Sequence, residues 1–403
     1  NLTEGRYRLA LEANSVDGMC AVRLFKPLAV MPTPDFPPLP PVHESHTGAD
    51  GFLRVNGLPF LSILYYHNPL STEGMTMLRE KHGATSAQAW GGDSIDALCQ
   101  NIDQVWAAGV YSWAVLFHPA TLDMESKRWK DAELIETVER LKTHPGLLGW
   151  DLIDEPDGLG VPPEEVRRAF DMVRQHDPNH AIWVNYCLKD RFLDYAGLSD
   201  FASYDHYPLQ TRPLGLLREY NKAIRAAFPE RPLLSCLQTY AAPGMGMPTP
   251  AQLRAQVYMG ICEGMTLFNF YAWYDPLPTG SLASNPELRS YSRLLVHELH
   301  ALRPFLFSTS PVPVTLTGVD PERVACLARR VDGAVQVIVV NLEREPIANL
   351  RLAIDGSRIL SATPMLEAPR PISIENDHVV EHLPPYGVCM VELQVAGSTD
   401  AVK

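Results

Sequence analysis

The sequence predicts an α/β chain: a (β/α)8 TIM barrel with a short N-terminal β segment before it and a C-terminal antiparallel β-sandwich after it. Three observations predict this. Between about residues 59 and 304, eight short apolar runs alternate with eight longer amphipathic ones, the pattern of parallel βα units. Eight units, with no GxGxxG after the first run, favour a closed barrel over an open doubly wound sheet. From about residue 308 the runs become short and closely spaced, as the strands of a sandwich are. The 403 residues suit this plan, since a barrel takes about 250 of them.

The elements follow in order. "RYRLALEA" and "MCAVRLF" within 5–26 alternate like a β-hairpin or part of a small sandwich. Seven prolines from Pro27 to Pro41 then read as an extended strap, because proline propagates neither helix nor central strand. "GFLRVNGLPF" reads as a hairpin leading into the first barrel strand. Strands are expected at 60–66, 84–89, 110–116, 147–154, 181–186, 201–205, 233–238 and 265–271. Helices are expected near 72–81, 94–107, 130–143, 163–176, 189–196, 214–228, 250–263 and 287–303. "HDPNH" (176–180) and Pro145-Gly146 each stop a helix before a strand. The expected divisions are 1–50 for the β-hairpin and linker, 51–305 for the barrel and 306–403 for the sandwich, with the last few residues a frayed tail.

Composition narrows the function. A net charge of −13 argues against nucleic acid or an anionic membrane as partner, since both select clustered Lys and Arg. It suits a neutral substrate such as a carbohydrate. The seven cysteines form no CxxC pair, which disfavours a zinc ribbon or redox motif. Cys187, Cys236 and Cys262 lie in apolar runs and read as buried core thiols. No apolar run reaches 18 residues, so no membrane span is expected. No cofactor is expected. The opening at Asn1 reads as a trimmed or processed chain, and a removed export signal would suit a secreted or periplasmic protein.

A βα barrel carries its active site at the C-terminal ends of its strands. The first run ends at Tyr65, Tyr66, His67 and Asn68, the second at Gln88 and Trp90, and the third at His118. The fourth ends at Asp154 and Glu155, the fifth at Asn185 and Tyr186, and the sixth at Asp205, His206 and Tyr207. The seventh ends at Gln238 and Tyr240, the eighth at Tyr271, Trp273, Tyr274 and Asp275. Aromatic faces interleaved with amides and carboxylates suit a sugar, with its C–H faces and hydroxyl edges. Tyr66, His67, Gln88, Trp90, His118, Asn185, Tyr207, Gln238, Tyr240 and Trp273 are the expected substrate contacts.

The sharpest motif is "GWDLIDEP" (149–156). It resembles the fourth strand of the clan A glycoside hydrolases, whose acid/base Glu closes that strand. "VNGLPFLSILYYH", "YDHYP" (204–208) and Trp273 resemble the first strand, the sixth strand and the sugar-stacking Trp of such enzymes, over roughly 51–305. The resemblance implies hydrolysis of O-glycosidic bonds with Glu155 as general acid/base. Such an acid needs a raised pKa, and Asp154 and Asp151 stand close enough in sequence to raise it. The family's nucleophilic Glu at the end of the seventh strand is matched here by Gln238, and an amide cannot attack. Three readings stay open. A second carboxylate completes the pair, Asp205 first, then Asp275 or Glu263. Alternatively Asp154 and Glu155 act on a 2-acetamido sugar whose own amide attacks, or the barrel binds sugar without cleaving it. Glu263 lies before the eighth strand, at the wrong end for catalysis, and reads as structural. A metal-dependent hydrolase would gather His67, His118, His206 and Asp205 at the mouth, but neither HxH nor HExxH is present.

Overall fold

The computed structural model describes residues 38–209, 213–241, 246–274, 280–367 and 370–396, and the backbone of 5–14 and 21–30. Eight parallel strands lie at Ser62–Tyr65, Ser86–Ala89, Tyr111–Val115, Leu147–Asp154, Ala181–Asn185, Ala202–Asp205, Leu233–Gln238 and Met265–Tyr271. They are called the first to the eighth below. The second to fifth form one four-stranded parallel sheet, and the sixth, seventh, eighth and first form another, each in that order. At one seam Thr85 N–H donates to Ile63 O (3.1 Å), and the Ser62 and Ser86 hydroxyls lie 2.8 Å apart. At the other, Asp205 N–H donates to Tyr186 O (2.9 Å).

Both faces of these strands are covered, which is why they read as continuous apolar runs. Leu64, Trp113, Leu148, Trp183, Phe201, Leu234 and Leu267 share one buried cluster. The other faces meet helices: Leu98, Ile102 and Val105 are the buried stripe of Ile95–Ala107, four and three residues apart as helical geometry requires. A Cβ on Gly149 would come within 2.5 Å of both Ala181 O and the Trp113 ring. Glycine there lets Trp113 cross the fourth strand.

The helices fall at Thr72–His82, Ile95–Ala107, Asp131–Leu141, Pro163–His176, Leu216–Ala227, Pro250–Cys262 and Pro286–Ala301. The segment expected as a helix at 189–196 is instead a 3-10 helix, Lys189–Tyr195. Its buried residues, Phe192 and Tyr195, are three apart, and a three-residue period stacks them on one face.

Two antiparallel four-stranded sheets follow. One orders Val314–Thr317, Ile347–Ile354, His378–Leu383 and Ser373–Glu375; the other orders Val324–Val331, Ala334–Asn341, Val388–Ala396 and Arg358–Pro364. Their facing side chains, Val335, Val337, Val339, Leu350, Leu352, Val379 and Val391 among them, form one core. Ile338, Val340 and Met390 join the larger core instead, against Pro250–Cys262. That helix starts with a Thr249–Gln252 capping box.

The N-terminal strands Gly5–Asn14 and Ala21–Val30 pair antiparallel. The second continues through Pro27, so the strap does not begin there; a two-stranded ribbon leaves each strand an unpaired edge where proline is tolerated. Downstream, Tyr111 Oη donates to Pro40 O (2.7 Å) and Val42 N–H to Pro145 O (2.9 Å). Leu53–Val55 and Leu58–Pro59 make the expected hairpin. Its turn residues Asn56 and Gly57 have φ of 50° and 79°, as a primed two-residue turn demands. Cys20, Asp275 and the tail from residue 397 lie outside the described residues.

Candidate active site

The fourth strand departs from regular pairing twice, between Leu147 and Gly149 and between Asp151 and Ile153. Each irregularity shifts the alternation by one residue. Leu148 therefore packs between the sheets, while Trp150, Leu152 and Ile153 pack in the outer core. Asp151 is left beside Asp154, near enough for the Asp154 charge to act on it.

Glu155 turns the chain at φ 49°, a region that non-glycine residues enter rarely and often at functional sites. Its N–H donates to Asn185 O (2.8 Å). Pro156 opens a single helical turn, Pro156–Leu159. Buried Asp157 in that turn accepts from Cys187 N–H (3.1 Å) and Leu188 N–H (2.6 Å). The Glu155 turn is thus tied to the end of the fifth strand.

A cavity of about 400 Å³ lies at the C-terminal ends of the strands, lined by Tyr66, Asp154, Glu155, Asn185, Cys187, Asp205, His206, Tyr207, Cys236, Tyr240 and Tyr271. Four tyrosine rings wall it: Tyr207 and Tyr240 at 5.1 Å, Tyr240 and Tyr271 at 5.0 Å, Tyr66 and Tyr271 at 5.1 Å between centroids. Among the described residues the lining holds no Lys or Arg.

The carboxyls are held by neutral donors. Tyr66 Oη donates to Asp154 Oδ2 (2.7 Å). Asn185 Nδ2 donates to Asp154 Oδ1 (3.0 Å) and Asp205 Oδ1 (3.3 Å). Asp205 and Glu155 both line the cavity, and Asp205 lies near enough for the Glu155 charge to act on it. Burial, then the charges of Asp154 and Glu155, hold the Asp205 carboxyl well above the usual range. Burial lifts Asp154 to about 6, with Glu155 and Asp157 adding to the lift and the Tyr66 and Asn185 bonds opposing it. Asp151 is pushed well up by burial and then by Asp154. Burial also raises the thiols of Cys187 and Cys236, so neither is a thiolate nucleophile at neutral pH.

Of the residues singled out in the sequence, Tyr66, Asp154, Glu155, Asn185, Asp205, His206, Tyr207, Tyr240 and Tyr271 line the cavity. The others do not. Gln88 is fully buried and donates through Nε2 to Asp151 Oδ2 (2.5 Å). Gln238 is fully buried too, with Nε2 on Tyr240 O (3.4 Å). Cys236, in register with Asp205, takes the seventh strand's place in the lining. Trp273 packs edge-on to His82 (4.8 Å) and Tyr65 (5.7 Å), and Tyr271, two residues earlier, faces the cavity instead. His67 and Trp90 stack with centroids 6.3 Å apart beside Tyr66. His118 is buried, away from the lining. His206 stacks on Tyr220 at 4.1 Å. Among the described residues, no three His, Cys, Asp or Glu side chains are grouped to hold a metal ion. Glu263 pairs with Arg218 at 2.9 Å. Cys236 is a buried core thiol, as its apolar run predicts, and also touches the cavity; Cys187, expected to be buried, is half-buried in the lining.

No protein-family model matches the chain, and no curated protein matches it in sequence. Solved structures do match in fold. A family 39 glycoside hydrolase from Bacteroides cellulosilyticus aligns with TM-score 0.55 at 11% identity, over 97% of this chain and 88% of that one. An α-amylase from Geobacillus thermoleovorans, solved with acarbose, gives 0.54 at 12% identity, over 80% and 92%. An Anoxybacillus α-amylase gives 0.52 at 11% identity, over 81% and 91%. At such identities the likeness is one of fold. No described helix is long and apolar enough to cross a membrane.

Proposed function

We propose that this chain is a glycoside hydrolase acting on the O-glycosidic bonds of an oligo- or polysaccharide, with Glu155 and Asp205 as its carboxyl pair. The observation that carries the reading is that Glu155 and Asp205 line one tyrosine-walled cavity at the strand ends, near enough for the Glu155 charge to act on Asp205. Glycoside hydrolysis needs one carboxyl to protonate the leaving oxygen and one carboxylate to attack or to activate water. Glu155 is the general acid/base, as its strand-end position suggests, and Asp205 is the second carboxyl. The tyrosine rings offer stacking faces to the sugar.

Glu155 follows the end of the fourth strand and Asp205 ends the sixth, and both line one cavity. The wide spacing of about 6.5–9.5 Å belongs to inverting enzymes, and the close one of about 5–5.5 Å to retaining enzymes. We take the close case, retention through a covalent intermediate on Asp205. Asp154 assists by fixing Tyr66 and Asn185. In this reading the two four-stranded sheets close into one (β/α)8 barrel spanning 51–305, with the sandwich at 306–403, and the protein works outside the cytoplasm. A panel of aryl glycosides and oligosaccharides, with product anomers followed by NMR, tests it. Release of the substrate's own anomer is expected. The opposite anomer would overturn retention, and no turnover across the panel would overturn the hydrolase reading.

A further inference from the structure

Four hydrogen bonds beside the cavity decide which way one amide faces. Trp183 Nε1–H donates to Ser203 Oγ (2.8 Å). An indole N–H is a donor only, so Ser203 is the acceptor there. Its own proton is then free for Asn185 Oδ1, 2.8 Å away, which can only accept. The carboxyls on the amide's other side need donors, so it stands with its oxygen towards Ser203 and Nδ2 towards Asp154 and Asp205 at 3.0 and 3.3 Å. The NH2 group has two protons, one for each carboxyl. Trp183, Asn185 and Ser203 are all buried, so solvent offers the amide no alternative partner, and hydrogen bonds in such surroundings are strong.

We propose that Ser203 is a positioning residue: its hydroxyl locks the Asn185 amide, so that one NH2 group holds Asp154 of the fourth strand and Asp205 of the sixth in a fixed relation to Glu155. Its consequence for turnover rests on the hydrolase reading; its consequence for the two carboxyls does not. Donors to a carboxylate favour the ionised form. Without the Ser203 hydroxyl the amide is free to turn, and its oxygen would repel the carboxylates that its NH2 group now holds. The groups that face these carboxyls are Tyr66 on the first strand, Asp151 and Glu155 on the fourth, Asp157 in the following turn, Cys187 after the fifth, His206 and Tyr207 on the sixth and Cys236 on the seventh. Tyr66 donates to Asp154, whereas Asn185 donates to both Asp154 and Asp205.

The test is a carboxyl-carbon NMR titration of aspartate-labelled protein, run alongside the pH profile of kcat/KM. In Ser203→Ala, Asp154 and Asp205 are expected to titrate higher by about one pH unit, roughly the worth of one lost donor. Both limbs of the activity bell should move up with them. Trp183→Phe, which leaves the hydroxyl present but unanchored, should give a smaller shift in the same direction, and it carries the test if the alanine variant does not fold. Ser203→Thr keeps the hydroxyl and should restore the wild-type titration. Folded variants whose carboxyls titrate as in the wild type would overturn the proposal. Failure of the wild type to turn over any glycoside would count against the hydrolase reading alone, because the titration still decides the role of Ser203.

Discussion

Asp154 illustrates how the site trades stability for charge. Its carboxyl, lifted to about 6 by burial, binds its proton more tightly in the folded chain than in the unfolded one. Its contribution to stability is therefore present below the ordinary aspartate range and is lost as pH rises through 6. Asp154→Asn should raise the melting temperature at pH 8 and change it little at pH 3.5. The pKa difference of about two units bounds the gain at about 3 kcal/mol. A variant no more stable than wild type at pH 8 would show that Asp154 is not held against its ionisation. His82 and His297 act in the opposite sense. Burial lowers both to about 4, so their contribution is present above the ordinary histidine range and is lost as pH falls towards 4. Asp154→Asn isolates the aspartate's share because both histidines remain.

At the scale of the element, the fourth strand decides where the chemistry sits. Gly149 is held between Ala181 O and the Trp113 ring, and a Cβ would approach each to 2.5 Å. Gly149→Ala should cost about 1–3 kcal/mol or more, the usual penalty of overpacking, read from the urea midpoint. Gly160, at φ 72° with nothing within 4 Å of a Cβ, should cost only about 1 kcal/mol as alanine. Equal losses would mean that close packing at Gly149 is not what excludes a side chain. The same strand shows what the sequence made legible. Parallel strands covered on both faces declare themselves as apolar runs, so Glu155 and Asp205 could be placed at strand ends from the letters alone. Which residues beyond those ends face the cavity was harder to read. Bulges shift the phase that strict alternation assumes, as at Asp151 and Asp154. Past the strand the alternation no longer applies, so Trp273 was expected where Tyr271 stands and Gln238 where Cys236 does. A thiol in an apolar run carries no sequence signal that it faces a cavity.

At the scale of the molecule, helix Pro250–Cys262 joins the two halves. Leu253, Val257, Tyr258 and Ile261 on it are buried, and strand Ala334–Asn341 packs against it. Arg218 adds a polar link, donating to Pro321 O (3.2 Å) while its Nε holds Glu263. A chain ended at residue 306 would expose this helix as a contiguous apolar surface, the kind that drives aggregation. Such a truncation should be insoluble or bind a hydrophobic dye strongly, whereas a soluble, dye-free product would show that the halves are independent.

The central claim is that Glu155 and Asp205 perform the chemistry together, and the rates of Glu155→Gln and Asp205→Asn on the best aryl glycoside test it most directly. Both variants should fold with wild-type circular dichroism. Each should lose at least about 10²–10⁴-fold in kcat/KM, the usual worth of a positioned acid or base. If either variant keeps wild-type turnover, the pair as assigned is wrong.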